Sequence, residues 1–199
     1  MLILLDNGHG GVIDGKYTTA PSKMYKHETG EIVYEGHVNR KIVQFLNRSL
    51  RQQGYESKIL VPELQDIPLK ERVRRANEIY KKRKDVLLIS IHLNAGKGTG
   101  SEFFTSKGET KSDKYCEILI DEWIRTIPEL RLRKDTRDGD RDKEALFTII
   151  TKTHCPAVLV ECAFMDTYKP DFEIIKNEWT IFCHALFKGL TKIIKREKR

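Results

Sequence analysis

Short apolar runs recur along the chain, and between them apolar residues return every three or four positions. The runs at residues 2–5, 57–61, 86–91, 102–105, 146–150 and 157–161 are bounded by polar or glycine-containing stretches and predict strands. Between the first two, Val38, Ile42, Phe45, Leu46, Ser49 and Leu50 fall on one side of a helix. His37, Lys41, Gln44 and Arg48 fall on the other, and Gly54 supplies a stop. A second helix over 69–84 repeats the pattern with Leu69, Val73, Ala76 and Tyr80, and a third over 112–125 stops before Pro128. A last helix starts at Asp171 after Pro170 and carries Phe172, Ile175, Trp179, Phe182, Leu186, Leu190 and Ile193. Strands alternating with amphipathic helices predict an α/β fold. The expectation is a single three-layer domain over 1–199, with a mostly parallel sheet of about six strands and helices on both faces. No repeat or low-complexity linker divides it.

Composition narrows the classes. The 36 Lys+Arg against 29 Asp+Glu give a net charge of +7, which favours polyanions: nucleic acid, anionic membrane or an acidic cell-wall polymer. Much of the excess sits in Lys81-Lys82-Arg83-Lys84 and Lys195-Arg196-Glu197-Lys198-Arg199, at predicted helix ends. The aromatics fall mostly on buried helix faces, which argues against a stacking surface for nucleic acid. No apolar run approaches the roughly 20 residues of a membrane span. The first residues run into Asp6-Asn7-Gly8 without the layout of a secretory leader, so synthesis in the cytoplasm without a signal peptide is expected, as is a monomer. Cys116, Cys155, Cys162 and Cys183 form no Cys-x-x-Cys pair and read as reduced, buried thiols. The polar stretch 131–143 predicts a surface loop; its Asp138-Gly139-Asp140-Arg141-Asp142 has the turn glycine at the wrong offset for a calcium loop. A second polar loop, 10–30, is a candidate wall for a cleft.

In a parallel sheet, ligands collect at the carboxyl ends of the strands. His9 lies just past the first predicted strand, His92 just past the third, and Glu161 at the end of the last. Glu35 stands three residues before Val38 and seven before Ile42, so it faces the core at the amino end of the first helix. Each residue alone has a plain reading, as a loop histidine or a glutamate paired with an arginine; the shared edge makes them one site. Two neutral imidazoles and a carboxylate can hold Zn²⁺ and leave a position for water, and a second carboxylate can take that water's proton. Glu161 follows Val158-Leu159-Val160, where a buried strand has no structural need of a charge. His37 and His184 fall on helices and read as structural or exposed. His27 and His154, in loops, are candidates for substrate contact together with Asn94.

The motifs Asp6-Asn7-Gly8-His9-Gly10-Gly11, Glu35-x-x-x-Asn39, Leu69-x-x-Arg72-x-x-x-Ala76-Asn77, Ser90-Ile91-His92-Leu93-Asn94-Ala95 and Pro156-Ala157-Val158-Leu159-Val160-Glu161-x-x-Phe164 occur in that order over nearly the whole chain. In this the sequence resembles the zinc-dependent N-acetylmuramoyl-L-alanine amidases of bacterial autolysins and phage endolysins. The resemblance implies that His9, Glu35 and His92 bind zinc and that Glu161 is catalytic. It also implies a peptidoglycan substrate cut at the amide between the lactyl group of N-acetylmuramic acid and L-alanine. Two departures bear on specificity: Val12-Ile13-Asp14-Gly15-Lys16 opens a longer loop than the usual Asp-x-Gly-Ala turn, and Glu161-Cys162-Ala163-Phe164 replaces Glu-x-Gly-Phe. A zinc peptidase cutting within the stem peptide, or a zinc-stabilised module that holds cell wall without cutting it, would use similar residues. Open access to the metal is expected, with 135–144 able to hide a short plug.

Overall fold

The computed structural model describes residues 1–137 and 139–198. In chain order the elements begin with β1 (Leu2–Asn7) and two hairpins, β2 (Val12–Ile13) with β3 (Lys16–Tyr17) and β4 (Met24–Lys26) with β5 (Ile32–Tyr34). They continue with α1 (Glu35–Gln52), β6 (Glu56–Ile59), α2 (Leu69–Lys82), β7 (Val86–Asn94), β8 (Glu102–Thr105) and α3 (Lys111–Thr126). Last come β9 (Lys143–Glu144), α4 (Thr148–Thr151), β10 (Ala157–Phe164), α5 (Glu173–Asn177) and α6 (Thr180–Glu197).

Six strands form one sheet in the order β6-β1-β7-β10-β8-β9. The first four are mutually parallel, and β8 runs antiparallel to β10. Side chains alternate across a strand, so each central strand feeds two cores. Ile3, Leu5, Leu87, Ile89, Val158 and Val160 face α1, α3 and α6, meeting Ile42, Leu46, Leu119, Trp123 and Phe182. Leu2, Leu4, Val86, Leu88, Ala157 and Leu159 face α2 and α4, meeting Ala76, Ile149 and Ile150. Helices on both faces of a mostly parallel sheet are what the alternation of runs and amphipathic stretches predicts.

Three expectations need correction. Residues 146–150 do not form a strand: Leu146 is 85% exposed, Phe147 precedes the short helix α4, and only Ile149 and Ile150 are buried. A continuous apolar run carries no period that separates a strand from a turn of helix. The last helix is not continuous from Asp171. A wide turn (Tyr168–Phe172) leads into α5, and α6 starts afresh at Thr180. Asp171 is fully buried and accepts hydrogen bonds from Thr99 Oγ1 at 2.5 Å and from the amides of Gly100 at 2.8 Å and Phe164 at 2.9 Å. Tying the β7–β8 connection and the end of β10 to this carboxylate draws the chain inward. The loop 10–30, thirdly, contains β2–β3 and β4, whose residues are too few to leave a pattern.

In the segment 131–143, Asp138 lies outside the described residues, and Asp142 is buried against β8 and α3, its Oδ2 accepting from Thr105 Oγ1 at 2.7 Å. Burial, with Asp140 and Asp113 nearby, pushes its pKa up to about 7. A carboxyl raised in the folded state from its ordinary 3.8 contributes stability that is complete below pH 3.8 and lost as pH rises through about 7. We expect the difference in unfolding free energy between Asp142→Asn and wild type to shift in favour of Asn between pH 5 and pH 8 in urea titrations. A difference that stays constant across that range would contradict this.

Candidate metal centre and cleft

The carboxyl ends of β1, β7 and β10 open into a cleft of about 620 Å³. His9, His92 and Glu161 lie on its floor. Asp66 to Leu69 form one wall, Leu146 to Thr148 the other, and Lys23 enters from the β3–β4 connection. No described residue of 135–144 lines it. Leu69, Leu146 and Phe147 are 49%, 85% and 42% exposed, giving the rim an apolar character that the strand reading of 146–150 concealed.

Close backbone approach places the floor. A Cβ on Gly36 would lie 1.9 Å from the carbonyl oxygen of Gly10, so the first turn of α1 packs directly on the glycine loop after β1. A Cβ on Gly8 would lie 2.2 Å from the His92 ring. His9 itself adopts a left-handed backbone, φ +66°. Its carbonyl accepts from Arg40 at 3.1 Å and Arg72 at 3.3 Å. Asn39, one turn into α1 from Glu35, donates to the carbonyl of Gly8 at 3.1 Å.

These contacts bring three potential ligands together. Glu35 Oε1 lies 3.2 Å from His9 Nε2 and 3.0 Å from His92 Nδ1, and it accepts from the Leu93 amide at 3.2 Å. The Glu35 side chain is 1% exposed, and its second oxygen, Oε2, has no hydrogen-bond partner; nor does His9 Nε2. Burial by itself would raise the Glu35 pKa, but the imidazoles of His9 and His92 outweigh it and hold the carboxyl at about 2. Burial opposes charge on His92, yet Glu35 and Glu161 prevail and raise its pKa. The donor chemistry fits zinc: neutral nitrogen and carboxylate oxygen suit it. Two donors with metal bonds of about 2.0–2.1 Å at a tetrahedral angle stand about 3.3 Å apart, close to the separations here.

Glu161 pairs in register with His92 on β7 and with Glu102 on β8. Its Oε2 is buried without a hydrogen-bond partner, and burial pushes its pKa up to about 7. Glu102, its neighbour, is neutralised by Arg133 at 2.9 Å and by Lys143. Asn94 is taken up there too: its Nδ2 donates to Glu102 Oε2 at 2.5 Å and its Oδ1 accepts from the Ala95 amide at 2.8 Å.

The other sequence candidates are placed elsewhere. His27 is 7% exposed, stacks on Phe172 with ring centroids 3.8 Å apart, and donates from Nε2 to the carbonyl of Met165 at 2.9 Å. It does not line the cleft. His154 lies in a separate shallow pocket with Asn77, Tyr80 and Lys81. All four cysteines are buried and free, and burial holds the Cys162 thiol well above its usual range, which makes it inert. Sequence reasoning gave no role to Arg72, whose only signal was its place in the helix motif.

A mostly parallel α/β sheet carries at its carboxyl edge a His/Glu/His cluster that could hold a metal ion, beside a buried carboxylate with one unpartnered oxygen. Comparison supplies the class. The family profile for N-acetylmuramoyl-L-alanine amidases matches residues 3–192, and the chain belongs to that family. It is 26% identical over 190 residues to the N-acetylmuramoyl-L-alanine amidase CwlM of Bacillus licheniformis, covering 94% of this chain and 64% of that one. The chain thus spans slightly less than two thirds of that relative's length. Its fold matches an N-acetylmuramoyl-L-alanine amidase from Clostridium difficile 630 with a TM-score of 0.75 at 24% identity, over 98% of this chain and 96% of that one. It also matches the amidase Ami1 of Mycobacterium smegmatis with a TM-score of 0.78 at 17% identity, over 98% and 97% of the two chains.

Proposed function

We propose that this chain is a zinc-dependent peptidoglycan hydrolase that cleaves the amide between N-acetylmuramic acid and the L-alanine of the stem peptide. The observation that carries the reading is the cluster of His9 Nε2, Glu35 Oε1 and His92 Nδ1 at a cleft lined by His9, His92 and Glu161, the last a buried carboxylate with an unpartnered oxygen. His9, Glu35 and His92 would hold the ion. Bound there, zinc supplies a Lewis acid for the substrate carbonyl and lowers the pKa of water.

Glu161 has the proton-transfer role. A carboxyl whose pKa is raised to about 7 is poised both to accept a proton from the attacking water and to return it to the departing amine of L-alanine. The apolar rim of Leu69, Leu146 and Phe147 suits the lactyl and alanyl methyl groups, and Lys23 suits the carboxylates of a stem peptide. Asn94 acts through Glu102 and the β7 turn, not on substrate, and His27 and His154 have no substrate role in this reading. The site of action is the cell wall, outside the cytoplasm.

Metal removal tests this directly. Protein dialysed against a chelator should lose release of stem peptides from purified peptidoglycan, and one equivalent of zinc should restore it. Undiminished release from protein shown to be metal-free would overturn the zinc assignment.

A further inference from the structure

A buried polar chain leads to the cluster, and its proton directions are set from one end. Arg72, in the first turn of α2, is 2% exposed. Its Nε donates to the carbonyl of Ile67 at 2.7 Å, and its Nη1 donates to Asp6 Oδ1 and to the carbonyl of Asn7, both at 2.7 Å. Its Nη2 donates to the carbonyl of His9 and to Asp66 Oδ1, both at 3.3 Å. These contacts use the full donor set of a guanidinium, which stays cationic in proteins.

Beside that cation Asp6 is an ionised carboxylate, able only to accept. Its Oδ2 lies 2.7 Å from Ser90 Oγ, so the Ser90 hydrogen points at Asp6. A hydroxyl has one hydrogen, so Ser90 turns a lone pair toward His92 Nε2, 3.2 Å away, and Nε2 carries the hydrogen. A neutral imidazole protonated at Nε2 has its free lone pair on Nδ1, the atom 3.0 Å from Glu35 Oε1, a carboxylate that by itself would draw the hydrogen onto Nδ1 and that the relay therefore opposes. Asp6 and Ser90 are 1% and 0% exposed, so water does not substitute for either.

We propose that Arg72, Asp6 and Ser90 form a tautomer lock that keeps the proton of His92 on Nε2 and presents Nδ1 to the metal, with Arg72 also fixing His9 through its carbonyl. The three are positioning residues, and the proposal rests on the zinc reading above. It assigns a ligating atom and a polarity, which packing alone would not require.

The polarity gives a test with an unusual signature. In Asp6→Asn the side-chain oxygen still accepts from Arg72, while the amide donates to Ser90 Oγ. The Ser90 hydrogen then turns to His92 Nε2 and favours the tautomer protonated on Nδ1, which cannot ligate through that atom. Ser90→Ala removes the relay and leaves the Glu35 carboxylate, 3.0 Å from Nδ1, as the group that biases the tautomer, toward a hydrogen on Nδ1. Zinc affinity, measured by chelator competition on folded, full-length protein, should fall about 10–100-fold in Ser90→Ala, the range for partners behind a metal ligand. It should fall further in Asp6→Asn and recover to the Ser90→Ala level in the double variant. Imidazole ¹⁵N spectra of the zinc-loaded wild type should show His92 protonated at Nε2 and metal-bound at Nδ1.

A double variant weaker than both single variants, or His92 bound to zinc through Nε2, would overturn the lock while leaving zinc binding in place. A wild type that binds no zinc would remove the metal reading and the lock together. Where Asp6→Asn does not fold, the Ser90→Ala spectrum decides: the Nε2 proton should become labile or redistributed, and an unchanged spectrum with unchanged affinity contradicts the proposal.

Discussion

Glu161→Gln should lower turnover of peptidoglycan by roughly 10²–10⁴-fold, the span of a lost general acid–base, while zinc remains bound. The substitution preserves shape and removes only the capacity to take and return a proton. It should not unfold the chain, because Glu161 Oε2 has no hydrogen-bond partner to lose. Its charge works against the metal-free fold. Burial raises its pKa from 4.5 to about 7, so its contribution is complete below pH 4.5 and is lost as pH rises through about 7. In the metal-free state at pH 8 the Gln variant should therefore melt at or above the wild-type temperature. Turnover, zinc content and melting measured together separate this from general damage. A variant that keeps wild-type turnover would remove Glu161 from the chemistry.

Glu35→Gln should cost zinc rather than proton transfer, with affinity falling by more than the ~100-fold upper range for residues behind a ligand. Glu35 is the hinge of the cluster: both imidazole nitrogens lie within 3.2 Å of its Oε1. Its pKa in the metal-free fold, lowered from 4.5 to about 2, adds a stability signature of opposite sign to that of Glu161. That contribution is present above pH 4.5 and lost as pH falls through about 2. Acid titration of the metal-free wild type should reveal it, and the Gln variant should lack it. Zinc binding unchanged in Glu35→Gln would show that the ion is held elsewhere.

The central sheet was legible because β1, β7 and β10 are buried on both faces and read as unbroken apolar runs, while α1 and α2 carry one apolar stripe each. The shared sheet edge located His9, His92 and Glu161 for the same reason, but β7 runs on to Asn94 and β10 to Phe164, so His92 and Glu161 stand inside their strands rather than past or at their ends. Glu35 was legible from helix phase. What could not be read depends on contacts distant in sequence. Residues 146–150 have a strand's composition, but Leu146 belongs to the cleft rim and Ile149 to the core beneath α2. The wide turn where the last helix was expected to start holds Asp171, whose partners at 99 and 100 are distant in sequence. His27 looked available in a polar loop, yet pairing with Met165 and Phe172 buries it. Arg72 gave no sign that a helical arginine would saturate its donors beneath the glycine loop, because three of its five partners lie some sixty residues away, at 6–9, and the other two at 66–67.

Mass spectrometry of fragments released from purified peptidoglycan by the zinc-loaded wild type and by Glu161→Gln tests the account most directly. The wild type should release stem peptides with a free L-alanine amino terminus and leave intact lactyl groups on the glycan, and the variant should release almost none. Cuts inside the stem peptide would make the chain a peptidase, and zinc bound with no cuts would make it a wall-binding module; either result contradicts the amidase assignment.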